Sequence, residues 1–232
     1  YDGTQGTSVA KIFELTAAST GANEKALIRR GIKKGADYES ILIVQNSHAA
    51  YYPGAAPLVL KLLFSMDGKR LFGAQIVGTD GVDKRIDVLA AAIRLGAGVS
   101  DLTKLELAYA PPYSSAKDPV NMAGYVAENL LTGKVAFSSW DALDKRDGAV
   151  VLDVRETMER QAFELPDSVH IPLGQLRERI GELDPARRYI ILCAVGVRAY
   201  NASRILSAHG FKNVLVYPGG THFYRSTHFP LF

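Results

Sequence analysis

The stretch Tyr189-Ile190-Ile191-Leu192-Cys193-Ala194-Val195-Gly196-Val197-Arg198 decides fold and chemistry together. Its first four residues are apolar and rich in branched side chains, which predicts a short buried strand. From Ala199 to His209 apolar positions recur at helical spacing, and Gly210 supplies the helix stop. Cys193, the only cysteine among 232 residues, therefore falls in the turn between a strand and a helix. The N–H groups of such a turn and the positive end of a helix favour a thiolate. A lone cysteine is more often a small buried hydrophobe. Three features argue for a nucleophile instead. The cysteine ends the strand, Gly196 lets the backbone curl round the sulfur, and Arg198 closes the loop with a cation.

Further motifs lie on either side. Val150-Val151-Leu152-Asp153-Val154-Arg155 reads as a strand ending in Asp-Val-Arg. Val169-His170-Ile171-Pro172-Leu173 and Val214-Leu215-Val216-Tyr217-Pro218-Gly219-Gly220 each read as a strand followed by a turn. In this order, and with the cysteine loop, they resemble the rhodanese family of sulfurtransferases over about residues 138–232. One departure is Pro166-Asp167-Ser168, where the family pattern has a proline-glycine turn. Related phosphatases carry five residues between cysteine and arginine; here there are four, Ala194, Val195, Gly196 and Val197. The shorter loop suits one sulfur atom better than a tetrahedral phosphoryl group.

The resemblance implies attack of Cys193 on a sulfane sulfur, giving a persulfide whose terminal sulfur the loop N–H groups stabilise. Arg198 is expected to hold the thiolate or an anionic substrate, because a cation at a helix start opposes the dipole. Asp153 and Arg155 read as supporting residues that orient a neighbouring loop through charge-assisted hydrogen bonds. His222, Arg225 and His228 follow no spacing rule and read as surface residues. One cysteine and five scattered histidines offer no metal site.

In the first half, Ser19 or Thr20 is placed to cap a helix over residues 23–30, and residues 41–44 read as a strand. Leu58–Phe64 and Leu71–Val77 predict a hairpin round Asp67-Gly68. Val82, Ile86, Leu89 and Ile93 mark one face of a helix ending near Gly96, and a second helix follows Pro119 with Met122, Val126 and Leu130. Strands followed by helices on one side predict an α+β layer. Four motifs stand out: Thr4-Gln5-Gly6-Thr7, Leu15-Thr16-Ala17-Ala18-Ser19-Thr20-Gly21, Tyr51-Tyr52-Pro53-Gly54-Ala55 and the run from Tyr109 through Val120, Tyr-Ala-Pro-Pro-Tyr-Ser-Ser-Ala-Lys-Asp-Pro-Val. They resemble the C-terminal dimerisation domain of FAD-dependent pyridine nucleotide-disulfide oxidoreductases, closest to the coenzyme A-disulfide reductase and NADH oxidase branch.

That resemblance implies a homodimer through residues 1–133. Tyr51 or Tyr52, and Tyr109 or Tyr113, would then donate O–H bonds toward a departing coenzyme A thiolate, with Lys117 near the flavin and coenzyme A. Packing at an interface is the competing reading for tyrosines beside prolines. No Gly-x-Gly-x-x-Gly occurs in the sequence, so FAD and NAD(P)H are expected on upstream domains of a longer chain. The start at Tyr1, without a Met, reads the same way.

The predicted organisation is an α+β dimerisation domain, residues 1–133, followed by an α/β rhodanese-like domain, residues 134–232, with a central parallel sheet flanked by helices. The short linker predicts that the second module docks on the first. A net charge of +3 with no basic patch argues against nucleic acid, and no apolar run is long enough for a membrane. A single cysteine and no signal-like start fit a reducing, cytoplasmic setting. The expected activity is reduction of coenzyme A disulfide, persulfide or polysulfide, with Cys193 taking up sulfane sulfur. The alternative is a non-catalytic docking or regulatory module.

Overall fold

The computed structural model describes residues 3–229; Tyr1 and Asp2, where the abrupt start was read, lie outside them. The chain divides into two compact units, residues 1–131 and 132–232. The first contains β1 (Ser8–Ile12), β2 (Leu15–Gly21), α1 (Glu24–Arg29), β3 (Tyr38–Asn46), β4 (Pro57–Ser65), β5 (Leu71–Gly78), α2 (Val82–Arg94), α3 (Val99–Lys104) and α4 (Pro119–Leu131). Its five strands form an antiparallel sheet in the order β1-β2-β5-β4-β3.

Strand parity decides which face each helix covers. Leu58, Leu60 and Leu62 of β4 are fully buried, and Leu62 pairs with Ala74, which in turn pairs with Thr20. Thr20 faces α2, because Gln5 Nε2 donates to both Thr20 Oγ1 and the Ala90 carbonyl. Lys61 and Leu63 point the other way, toward Glu24 and Leu27 of α1. The expectation of helices on one side thus holds for α2, while α1 covers the opposite face. Each fully buried leucine contributes about 1.5–3 kcal/mol relative to exposure.

The predicted hairpin is β4–β5, and Asp67 Oδ1 fixes its turn by accepting from the Lys69 amide at 3.0 Å. The cap of α1 differs from expectation. Asn23 Oδ1 accepts from the Ala26 amide at 2.9 Å, whereas Ser19 and Thr20 lie within β2. Asn23 wins because the cap must directly precede the first helical turn.

The second unit contains α5 (Ala142–Lys145), β6 (Val150–Asp153), α6 (Thr157–Ala162), β7 (Val169–His170), β8 (Tyr189–Leu192), α7 (Val197–Ala208), β9 (Val214–Val216) and α8 (Gly220–His228). The strands are all parallel, in the order β7-β6-β8-β9. All four residues of β8 are buried, as befits a central parallel strand. Asp153 pairs with Leu192, so the ends of β6 and β8 lie side by side and bring Asp153 beside the cysteine turn. Catalytic groups in parallel sheets gather at this carboxyl edge. Asp167 takes the left-handed conformation, φ 56°, where the family pattern has glycine; aspartate is among the few residues that tolerate it.

The far end of α8 is fastened to α5. Tyr224 Oη donates to Asp144 Oδ1 at 3.2 Å, and the His228 ring stacks on Tyr224 at 4.0 Å. His228 Nδ1 lies 2.8 Å from the Tyr224 carbonyl and Nε2 3.0 Å from Asp144 Oδ2. The carbonyl, then the carboxylate, raise the His228 imidazole above its usual value. The stabilisation is therefore fully present below about pH 6.5, the unfolded-state value, and is lost as pH rises through the folded value. An NMR titration should place His228 above an ordinary histidine, and Asp144→Asn should lower it.

Candidate active site

The cysteine turn is built by three elements. β8 delivers Cys193, Gly196 turns the chain with φ 112°, and α7 begins at Val197. The Gly196 amide lies 3.1 Å from Cys193 Sγ and the Ala199 amide 3.4 Å. The sulfur thus sits at the N-terminal end of a twelve-residue helix, under two donors. Cys193 is 1 % exposed, so it forms the floor of the loop. Ala194, Val195 and Gly196 are partly exposed, and Val197 is half exposed at the mouth.

The loop is braced from behind by α8. The Thr221 amide donates to the Cys193 carbonyl at 2.8 Å and the His222 amide to the Ala194 carbonyl at 3.0 Å. Gly220, φ 61°, makes this approach possible: a Cβ there would lie 2.4 Å from both carbonyl oxygens. The His222 ring remains exposed beside the loop. Partial desolvation, then the charge of Arg225, lower its imidazole below the ordinary value. Arg225 lies over the Phe163 ring, and His228 belongs to the α5 clasp.

Arg198 lies within electrostatic reach of Cys193. Its guanidinium does not bond the sulfur; it forms a two-pronged pair with Glu159, Nη1–Oε2 2.5 Å and Nη2–Oε1 2.6 Å. This contact holds Glu159 below the usual carboxylate range and raises Arg198. A fork-to-fork carboxylate is a better-matched partner than a sulfur already held by amides. Glu159 lies 39 residues away in sequence and was not anticipated.

Asp153 and Arg155 pair with each other at the end of β6. Arg155 Nη2 donates to Asp153 Oδ2 at 2.7 Å, and both side chains are buried. Arg155 also donates to the carbonyls of Phe163 and Glu159, at 2.7 and 3.3 Å. The pair thereby positions α6, which carries the carboxylate that fixes Arg198.

In the first unit, Tyr51 and Tyr109 meet, with hydroxyl oxygens 3.1 Å apart on exposed loops. The bond to Tyr109 raises the Tyr51 phenol above its ordinary value. The other candidates do not join them through a described contact. Tyr52 packs edge-on against His48, Lys117 lies over the Tyr125 ring, and the Tyr113 carbonyl accepts from Lys84.

The loops that carry the pair share a buried network that sequence reading missed. Arg85, 1 % exposed, donates to Asp118 Oδ2 at 2.9 Å, to the Ser47 carbonyl at 2.7 Å and to Ser114 Oγ at 3.2 Å. Ser114 Oγ donates to Asp118 at 2.7 Å, and the Ala49 amide to the Ser114 carbonyl at 3.0 Å. Arg85 thus ties together the loops bearing Tyr51 and Tyr109. Among the described residues no three His, Cys, Asp or Glu gather as a metal site, and no helix is long and apolar enough to cross a membrane.

Comparison with known proteins agrees with this division. Residues 7–119 match the pyridine nucleotide-disulphide oxidoreductase dimerisation domain, and residues 139–226 match the rhodanese-like domain. Coenzyme A disulfide reductase of Staphylococcus epidermidis is 44% identical over 128 residues, covering 55% of this chain and 28% of that protein. The solved structure of reduced Bacillus anthracis CoADR-RHD superposes with a TM-score of 0.90 at 47% identity, covering 97% of this chain and 40% of that one. A NAD-dependent persulfide reductase from A. fulgidus gives 0.87 at 40% identity, covering 96% and 39%. The chain therefore spans well under half the length of these relatives. The chain thus carries a pyridine nucleotide-disulphide oxidoreductase dimerisation domain followed by a rhodanese-like domain.

Proposed function

We propose that this chain is the C-terminal portion of an FAD- and NAD(P)H-dependent reductase of coenzyme A disulfide, persulfides or polysulfide, in which Cys193 takes up sulfane sulfur. The observation that carries the reading is the Cys193 sulfur under the Gly196 and Ala199 amides at the start of α7. In the first step the Cys193 thiolate attacks the outer sulfur of R–S–SH. The new Cys193–S bond forms as the R–S–S bond breaks, and R–SH leaves with the proton of the persulfide. The remaining negative charge rests on the terminal sulfur of Cys193–S–S⁻, where amides of the loop from Ala194 to Arg198 act as donors. An acceptor thiol then removes that sulfur and regenerates the thiolate.

The first unit would form the homodimer and offer Tyr51 and Tyr109 to a departing coenzyme A thiolate, with Tyr52, Tyr113 and Lys117 as neighbouring candidates. A flavin would supply two-electron reduction from NAD(P)H. The sequence has no Gly-x-Gly-x-x-Gly turn to hold either dinucleotide.

The test is mass mapping after exposure to an organic persulfide. One added sulfur atom on the peptide containing Cys193, removed by a second thiol, is the expected result. An unmodified Cys193 under those conditions would leave the domain a docking module.

A further inference from the structure

The mouth of the cysteine loop is short of positive charge. Arg198, the cation nearest the sulfur in sequence, has both prongs of its guanidinium on the Glu159 carboxylate. Arg155 is buried and matched by Asp153. The side chains of Ala194, Val195 and Val197 add no polar atom. Cys193 and then Glu156 also act on Arg198 as nearby negative charges. Against these stands Arg225, over the Phe163 ring and close enough to His222 that, after desolvation, its charge helps lower that imidazole. A carboxylate matched to a guanidinium cancels most of its field beyond the contact.

An inorganic donor such as thiosulfate brings two negative charges to a thiolate, and needs an uncompensated cation at the mouth. An organic persulfide brings one charge at most beside the reacting sulfur. We infer that Glu159 is a specificity-determining residue, which, by occupying Arg198, sets the loop against small dianionic donors and in favour of organic persulfides. This inference rests on Cys193 accepting sulfane sulfur. Both reactions balance without an outside oxidant or reductant: thiosulfate would leave as sulfite, the persulfide as its thiol, and the Cys193 persulfide is common to both.

The test compares kcat/KM for thiosulfate and for an organic persulfide with one acceptor thiol. In Glu159→Gln the ratio of thiosulfate to persulfide efficiency should rise about tenfold or more, as expected for losing one charge near a dianion. The gain should lie mainly in KM and should shrink as salt is added. Glu159→Asp keeps the charge and should hold the wild-type ratio, which controls for lost packing. An unchanged ratio in Glu159→Gln, or an equal rise in Glu159→Asp, overturns the inference while leaving sulfur uptake intact. Absence of uptake from either donor by the wild-type protein overturns the functional reading itself.

Discussion

Gly220→Ala is expected to disable the cysteine loop and destabilise the second domain together. The left-handed backbone at this position costs a non-glycine residue roughly 1–2 kcal/mol. The larger effect is steric, since the added Cβ would lie 2.4 Å from the carbonyl oxygens of Cys193 and Ala194. Those atoms belong to the backbone and cannot swing aside as a side chain would. Either α8 retreats, losing the Thr221 and His222 amide bonds, or the loop moves and takes Cys193 from its donors. Overpacking of this kind typically adds about 1–3 kcal/mol. Thermal unfolding should show a lower Tm, and sulfur uptake at Cys193 should fall by orders of magnitude. Gly210→Ala is the matched control. It also has a left-handed backbone, φ 89°, but no atom within 4 Å of the added Cβ. It should cost only the backbone term and retain uptake. Equal damage from both variants would assign the effect to conformation alone.

Arg85→Met is expected to cost the first domain about 3–5 kcal/mol, because breaking one side of a buried pair strands the other charge. Asp118 is 2 % exposed and keeps Ser114 Oγ and the Val120 amide, but loses its cation. The Ser47 carbonyl loses a 2.7 Å donor at the same time. Because these atoms tie the two tyrosine loops, the Tyr51–Tyr109 contact should loosen as well. Ultraviolet titration should then find the Tyr51 phenol moved back down toward its ordinary value. Arg85→Met combined with Asp118→Leu removes the stranded charge and should recover part of the stability. It should not restore Tyr51, since the Ser47 tether is still missing. A single variant as stable as wild type would show that the network contributes little.

The parts of this chain legible in sequence are those written in local chemistry. A branched run, a glycine turn and an amphipathic helix were enough to place Cys193, because each signal lies within a few residues of the next. The β4–β5 hairpin was likewise announced by Asp67-Gly68. The β1–β2 hairpin was not, since the Ala, Ser and Thr residues of β2 give no alternation of apolar and polar positions. Glu159 was hidden because it reads as one more charged residue on a short helix, and only the fold brings it to Arg198. A fainter sign was its place four residues after Arg155, whose side chain reaches back to its carbonyl. Arg85 could have been suspected from its own helix. It falls on the stripe formed by Val82, Ile86 and Leu89, where a charge must find a buried partner. That the partner is Asp118 depends on how the 109–118 loop folds back, which no spacing announces.

The clasp between α8 and α5, with the amide bonds at the other end of α8, means that this helix is no dispensable tail. Shortening the gene to stop before Gly220 would strip the rear wall from the reactive sulfur and bare the Tyr217 ring. A change in the last turn of α8 would have to leave the His228–Asp144 contact undisturbed.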